Sequence, residues 1–176
     1  MKFCSECGTR VTLTIPKGDD RERHVCPACN TIHYQNPNII AGTIPVLGDQ
    51  VLLCRRAIEP RYGLWTLPAG FMENGESTIE AARRETWEEA CTRTRCEELY
   101  TVISIPSINQ VYMFYRAELD KPEFAPGQES LEVNLFDEKD IPWDKLAFRT
   151  VARTLEFYFM DRHRKQFALR DETLTF

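Results

Sequence analysis

A chain of 176 residues with 43% apolar and 28% charged residues is long enough to bury a proper core, and its composition excludes collagen-like and disordered classes. The formal net charge of −5 excludes a general attraction to nucleic acid or anionic lipid, so any phosphate binding has to be local or carried by metal ions. One main domain with a small appendage fits this length.

The N-terminal stretch MKFCSECGTR has no apolar h-region, and no apolar run elsewhere approaches a membrane span. The expectation is a soluble, cytoplasmic protein without a membrane partner. Four of the seven cysteines form two C-x-x-C pairs, Cys4 with Cys7 and Cys26 with Cys29, with 18 residues between the pairs. This is zinc-ribbon spacing: each pair sits on a tight turn, near Gly8 or Pro27, so that all four thiolates can face one ion while the intervening chain forms a hairpin. Four sulfurs fill a tetrahedral shell and leave no position for water, so the Zn²⁺ expected here is structural. His24 and His33 then read as ordinary surface or hairpin residues, and Cys54, Cys91 and Cys96 as buried apolar filler.

The ribbon should end near Tyr34, and QNPN, residues 35–38, reads as a linker, giving domains 1–36 and 37–176. Beyond it, IIAGTIPV and QVLLCRR flank Gly48-Asp49 as a hairpin with a buried first strand. YGLWTLPAGF is a strand-like approach to a helix. That helix starts at Ser77, because Ser77 with Glu80 three residues later makes a capping box just after the Asn74-Gly75 turn. YTVISI, VYMFYRAEL and LEVNLF are further strands, with Tyr112 and Phe114 on one face of the second and Met113 and Tyr115 on the other. FRTVARTLEFYFMDRHRK has helical spacing at Val151, Leu155 and Phe159, with basic residues towards its C-terminal end. FALRDETLTF alternates like a strand that could add to a partner's sheet, so a homodimer is expected.

The helix at Ser77 carries a crowd of carboxylates. Ile79, Thr86 and Ala90 give it a narrow packed face, and Glu85, Glu88 and Glu89 spread over an arc of about 100° beside that face. Arg84, four residues before Glu88, can hold that carboxylate. A solvated acidic face would explain Glu80 and Glu73. It explains less well three carboxylates abutting the packed edge, with a glycine-containing loop and Glu76 leading into the helix. Hard divalent cations such as Mg²⁺ or Mn²⁺ prefer such oxygens and would neutralise the crowd.

Gly70, Glu76, Arg84, Glu85, Glu88 and Glu89 match the Nudix box, G-x5-E-x7-R-E-U-x-E-E-x-G-U with U a bulky apolar residue, at six fixed positions. A chance match is on the order of 10⁻⁷ per start point. Thr86 and Thr92 replace apolar residues of the pattern, and Cys91 replaces its second glycine. The chain thus resembles Nudix hydrolases with an N-terminal zinc ribbon, of the ADP-ribose and FAD pyrophosphatase type. The resemblance implies an α+β fold, an α/β/α sandwich with a mixed sheet, preceded by a small zinc-ribbon β-hairpin domain. It also implies metal-dependent hydrolysis of the pyrophosphate in a nucleoside diphosphate derivative. Glu85, Glu88 and Glu89 become ligands of Mg²⁺ or Mn²⁺, with the Gly70 backbone carbonyl. Arg84 orients them and Glu76 supports the loop or the metal shell. The general base is either a box glutamate or Glu129 in PGQESLEV, which also reads as an exposed loop acid.

Trp65, Phe71, Tyr112 and Phe114 are available stacking surfaces, though aromatics at strand spacing are more often core, and Arg55 and Arg56 end a strand near the box where they could meet phosphate or be solvated. NADH pyrophosphatases of this family resemble one another in a Ser-Gln-Pro-Trp-Pro-Phe-Pro stretch downstream of the box. Here that region reads ISIPSINQVYMFY, so ADP-ribose or FAD ranks above NADH. A different class of function is a non-catalytic nucleotide- or RNA-binding regulatory module. Residues 1–36 hold five Lys or Arg and four Asp or Glu, which is no basic footprint, so a nucleic-acid partner is not expected.

Overall fold

The computed structural model describes residues 1–175 and, among them, every side chain except those of Cys96 and Glu97. The expectation for Cys96 therefore lies outside the described side chains. Two compact units are present, Met1–Asn36 and Pro37–Phe176.

In the first unit, β1 (Thr12–Thr14), β2 (Arg23–Val25) and β3 (Ile32–His33) form an antiparallel sheet. Two backbone knuckles of the same design precede β1 and β3. The Gly8 N–H donates to the Cys4 carbonyl at 3.0 Å, and the Asn30 N–H to the Cys26 carbonyl at 2.9 Å. Each knuckle turns at a left-handed residue, Gly8 at φ 72° and Asn30 at φ 59°, the two residue types that tolerate this region best.

The second unit is a mixed sheet between two helices. Its main strands, in chain order, are β4 (Asn38–Leu47), β5 (Gln50–Arg56), β8 (Thr94–Ile105), β9 (Gln110–Leu119), β10 (Ser130–Phe136) and β11 (Arg170–Thr173), arranged β10-β5-β4-β9-β8-β11. The short strands β6 (Trp65–Thr66) and β7 (Ala69–Phe71) pair with β5 and β4. Most neighbours are antiparallel; β4 with β9 and β8 with β11 are parallel. The period of two along each strand divides the core. On one face, α1 (Thr78–Ala90) packs Ala81 and Ala82 against Ala41, Tyr115 and Ala117. On the other, α2 (Arg149–Arg164) packs Val151, Leu155, Tyr158 and Phe159 against Ile44, Val51, Leu53, Tyr100 and Phe114. This is the expected α/β/α sandwich, with Tyr112 and Phe114 on the opposite face of β9 from Tyr115.

Three readings are refined or corrected. The C-terminal segment forms the expected strand, β11, which pairs in parallel with β8 at one end of its own chain's sheet, where Arg170 bonds to Asp161 of α2. Cys91 is exposed: it caps α1 at φ 48°, the left-handed position where the family pattern places glycine, and cannot turn into the core from there. Thr86 is buried on the packed face of α1 as expected, although it replaces an apolar residue, because its hydroxyl lies 2.7 Å from that of Thr43 on β4 and 2.7 Å from the Ala82 carbonyl. Cys54, by contrast, is the buried filler expected. Among the described residues no helix is long and apolar enough to cross a membrane.

Candidate active site and metal centre

The first site lies wholly within residues 1–36. Cys4, Cys7, Cys26 and Cys29 bring their sulfurs within 4.8 Å of one another. The Cys7–Cys26 separation is 3.4 Å, and Cys4–Cys29 and Cys7–Cys29 are 3.6 Å. A tetrahedral zinc ion about 2.3 Å from each sulfur requires sulfurs about 3.8 Å apart, so the donor set fits structural zinc. Thr31, through its hydroxyl and N–H, lowers the Cys29 thiol to about 6, towards the thiolate that a metal needs. His33 is more than a hairpin residue, since its Nε2 stands 3.3 Å from the Cys4 sulfur.

The second site is a cleft of about 1490 Å³ in the second unit. Its acidic wall is α1, which begins as the sequence predicts: Ser77 caps the Glu80 N–H and the Glu80 carboxylate accepts from the Ser77 N–H. The reciprocal cap fixes where the helix starts and so which residues reach the cleft. Arg84 is the hub. Its Nε and Nη2 donate to the two oxygens of Glu76 at 3.1 and 2.7 Å, its Nη1 donates to Glu85 at 2.6 Å and Glu88 at 3.0 Å, and Nη2 also reaches the Phe71 carbonyl. Glu76 is held down to about 2 by that guanidinium and also accepts from the Glu73 N–H. It thereby fastens the loop ahead of the helix.

Glu85 lies against Gly70 of β7, where a Cβ would stand 2.3 Å from the carboxyl carbon. Only glycine allows this approach. Burial pushes the Glu85 carboxyl up, against the pull of Arg84. Glu89 is 5% exposed, and one of its oxygens has no hydrogen-bond partner. Burial pushes its carboxyl up to about 8, with Glu85 and Glu129 adding to the rise and Arg56 and the Ala69 N–H opposing it. A buried carboxylate with an orphaned oxygen is costly unless a cation completes it, and this observation makes the glutamate set fit a hard divalent metal. Among the described residues, the glutamates are not gathered within 4.8 Å of one another as the cysteines are; Arg84 takes one oxygen each from Glu85 and Glu88.

The C-terminal end of α1 is closed by the loop before β10. The Gly127 N–H donates to the Glu89 carbonyl at 3.0 Å and the Ala125 N–H to that of Ala90 at 3.0 Å. A Cβ on Gly127 would lie 1.7 Å from the Glu88 carbonyl oxygen. Next to this close contact, Gln128 and Glu129 line the cleft together with the box glutamates. Nothing local in PGQESLEV announces it, because the partner is a helix end nearly forty residues earlier (~40).

Of the expected substrate contacts, Arg56, Phe71, Tyr112 and Phe114 line the cleft, with Phe71 56% exposed and so open for stacking. The other two turn elsewhere. Trp65 packs edge-on against Phe136, with ring centroids 4.9 Å apart, and Arg55 bonds the Gly63 carbonyl and Glu132. Residues missed in the sequence include Trp87, Gln110, Phe148 and Thr150, all on the cleft wall.

Residues 37–158 match the family described as NUDIX domain, and residues 2–35 the zinc-ribbon family described as Nudix N-terminal. A solved NUDIX hydrolase from Nitrosomonas europaea is similar at 53% identity and a TM-score of 0.93, covering 99% of this chain and 100% of that one. An ADP-ribose pyrophosphatase from Streptococcus suis shares the fold at 21% identity and a TM-score of 0.64, over 77% of this chain and 99% of its own. Among curated proteins, the NAD-capped RNA hydrolase NudC of Pseudomonas aeruginosa is 30% identical over 171 residues, 92% of this chain and 56% of its own. The human mitochondrial NAD(P)H pyrophosphatase NUDT13 is 29% identical over 142 residues, 81% of this chain and 38% of its own. This chain thus spans about half or less of the length of these curated relatives. With a cleft lined by the box glutamates, six of the box's fixed positions matched, a four-cysteine ribbon and both family matches, the chain belongs to the NUDIX domain family, in the form that carries an N-terminal zinc ribbon.

Proposed function

We propose that this protein hydrolyses the pyrophosphate bond of a nucleoside diphosphate derivative, ADP-ribose or FAD, in a reaction that depends on Mg²⁺ or Mn²⁺. The observation that carries the reading is the buried, unpartnered oxygen of Glu89, beside Glu85 and across from Glu129 in a cleft large enough for a dinucleotide. Glu85, Glu88, Glu89 and the Gly70 carbonyl would hold the ion. Once bound, it would supply charge neutralisation for the diphosphate and a lowered pKa for an attacking water. Arg84 keeps the carboxylates in register by its bonds to Glu85 and Glu88. Glu129, on the cleft wall, would take a proton from the attacking water, and the exposed Phe71 would stack on an adenine or flavin ring. The ribbon's four thiolates would hold structural Zn²⁺.

A second reading, NADH or another nicotinamide dinucleotide, is favoured by the similarity to proteins named NAD-capped RNA hydrolase and NAD(P)H pyrophosphatase. One assay separates the two. Phosphate-anhydride cleavage is measured on ADP-ribose, FAD, NADH, ATP and a sugar nucleotide with Mg²⁺ or Mn²⁺. Preferential cleavage of ADP-ribose or FAD is expected; preference for NADH selects the second reading. Binding of nucleotide or RNA by folded protein that cleaves none of them would replace both with a regulatory module.

A further inference from the structure

Part of the cleft wall is the start of α2, and it is built unlike an ordinary helix start. Its N-cap residue is Phe148, which has no side-chain acceptor to offer; no side chain caps the helix and no acidic residue stands in its first turn. Helix starts are normally closed by Ser, Thr, Asp or Asn, because the first N–H groups have no partner within the helix and carry partial positive charge. Here Val151 and Ala152 both turn their N–H groups to the Phe148 carbonyl, at 3.1 Å. Arg149 and Thr150 precede them on the same wall. The segment is anchored, since the Ala147 N–H donates to the Trp65 carbonyl of β6 at 2.8 Å.

A second, independent feature lies at the same place. Thr150 lines the cleft and is 1% exposed, yet its hydroxyl has no hydrogen-bond partner. Other buried threonines of this unit are satisfied, Thr43 with Thr86, Thr101 with Thr154, and Thr66 on the Leu67 carbonyl. Of the two buried hydroxyls without a partner among the described residues, on Ser130 and Thr150, only that of Thr150 belongs to a residue of the cleft wall, where a partner can arrive from outside. A cation completes the arrangement: the Arg56 guanidinium lies 5.2 Å from the centre of the Phe148 ring, with its Nε fixed on the Pro60 carbonyl. Arg149 is turned aside, its Nη1 reaching the Thr175 carbonyl at 3.5 Å.

We infer that the N-terminus of α2, with the Thr150 hydroxyl and the Arg56 guanidinium, is a second anion subsite that takes a phosphomonoester carried by the substrate besides its scissile pyrophosphate. The inference rests on the proposed pyrophosphatase reading and adds to it a substrate class: a nucleotide whose ribose bears an additional phosphate. The positive end of a helix, a hydroxyl donor and a guanidinium form a set suited to a tetrahedral dianion. The acidic wall at Glu85, Glu89 and Glu129 repels the same group when no cation is bound, so a doubly phosphorylated ligand would place its extra phosphate at α2.

Binding tests this without relying on turnover. Calorimetric titration of the full chain with AMP, adenosine 2′,5′-bisphosphate and adenosine 3′,5′-bisphosphate, in Mg²⁺, should show at least one bisphosphate binding about tenfold tighter than AMP. Which one binds tighter identifies the ribose position. In Thr150→Val the ratio should collapse towards one, and in Thr150→Ser, which restores the hydroxyl, it should recover. Arg56→Gln, on a partly exposed side chain, should reduce the ratio too. Equal affinity of all three nucleotides for the wild-type protein overturns the subsite, as does a ratio that survives both Thr150→Val and Arg56→Gln. If the bisphosphate preference is present while no dinucleotide is cleaved, the subsite stands and the pyrophosphatase reading falls.

Discussion

Two carboxylates in the second unit are almost equally buried and could hardly be treated more differently. Asp161, on α2, is 1% exposed. It accepts from the Tyr100 hydroxyl at 2.8 Å and from two nitrogens of Arg170. Burial pulls its carboxyl up, but Arg170 and Tyr100 outweigh that and hold it below the usual range. Glu89, on α1, is 5% exposed, with one oxygen orphaned and its carboxyl pushed up to about 8. The same chemical group is a finished joint in one place, tying α2 to β8 and β11, and an unfinished one in the other. A fold that can satisfy a buried carboxylate fully at α2 leaves one unsatisfied at α1, which marks that position as a place where something else binds.

Glu89→Gln tests this contrast with the largest expected effect. The substitution keeps shape and burial but removes the charge that a divalent ion would meet, and kcat/KM for pyrophosphate cleavage should fall on the order of 10³-fold. Thermal stability measured in a chelator should hold or rise, because a neutral amide sits more easily in that surrounding than a carboxylate does. A loss of activity that merely tracks unfolding in a melting curve would reduce Glu89 to a structural residue. Asp161→Asn should do the opposite. It leaves Arg170 without its partner and should cost about 3 kcal/mol in a urea titration, while kcat per folded molecule stays near wild type.

The pH dependence separates the two groups further. In the folded, metal-free protein Glu89 binds its proton up to about 8, whereas the unfolded chain releases it near 4.5. Between those values the folded state holds more protons, so the contribution of Glu89 to stability is greatest below 4.5 and declines as pH rises towards 8, by about 2 kcal/mol once water penetration and coupling to Glu85 are allowed for. Asp161 has the reverse sign: its contribution is in place above about 3.8 and is lost as pH falls below that. Melting temperatures in chelator from pH 5 to 8.5 should therefore slope downward in wild type and flatten in Glu89→Gln. A slope that persists in the variant would mean another group is responsible.

This contrast also shows what the sequence could and could not reveal. The box glutamates, the capping box at Ser77 and Glu80, and the paired cysteines are patterns within about twenty residues of one chain segment, where spacing alone dictates geometry. The hairpin about Gly48-Asp49 and the alternation along β9 are local in the same sense. Asp161 gives no such signal, since Tyr100 lies 61 positions away and Arg170 reaches it only because β11 returns to β8. Thr86 reads as a flaw in the box until Thr43, 43 positions earlier, is seen to share its hydroxyl. Trp65 and Arg55 have the composition of ligand contacts, and only packing against Phe136 and bonding to Glu132 reveal their other employment. Glu129 had no local support either; its place in the cleft depends on Gly127 meeting the end of α1.

The smallest expected effect probes how the satisfied site shares its load. Tyr100 is 2% exposed, packs edge-on against Tyr158 and Phe167, and gives Asp161 one of its hydrogen bonds. Tyr100→Phe keeps the ring and its contacts and removes one donor, while Arg170 still holds both Asp161 oxygens. The cost should be about 1 kcal/mol, the ordinary net worth of such a bond, and well short of the cost of Asp161→Asn. In the double variant with Asp161→Asn the two losses should not add, because once the carboxylate is gone the Tyr100 hydroxyl bonds only a neutral amide. If Tyr100→Phe alone cost as much as Asp161→Asn, the carboxylate would depend on the hydroxyl and not on Arg170. Asp161 would then be only half finished, and its contrast with Glu89 would narrow to one of degree.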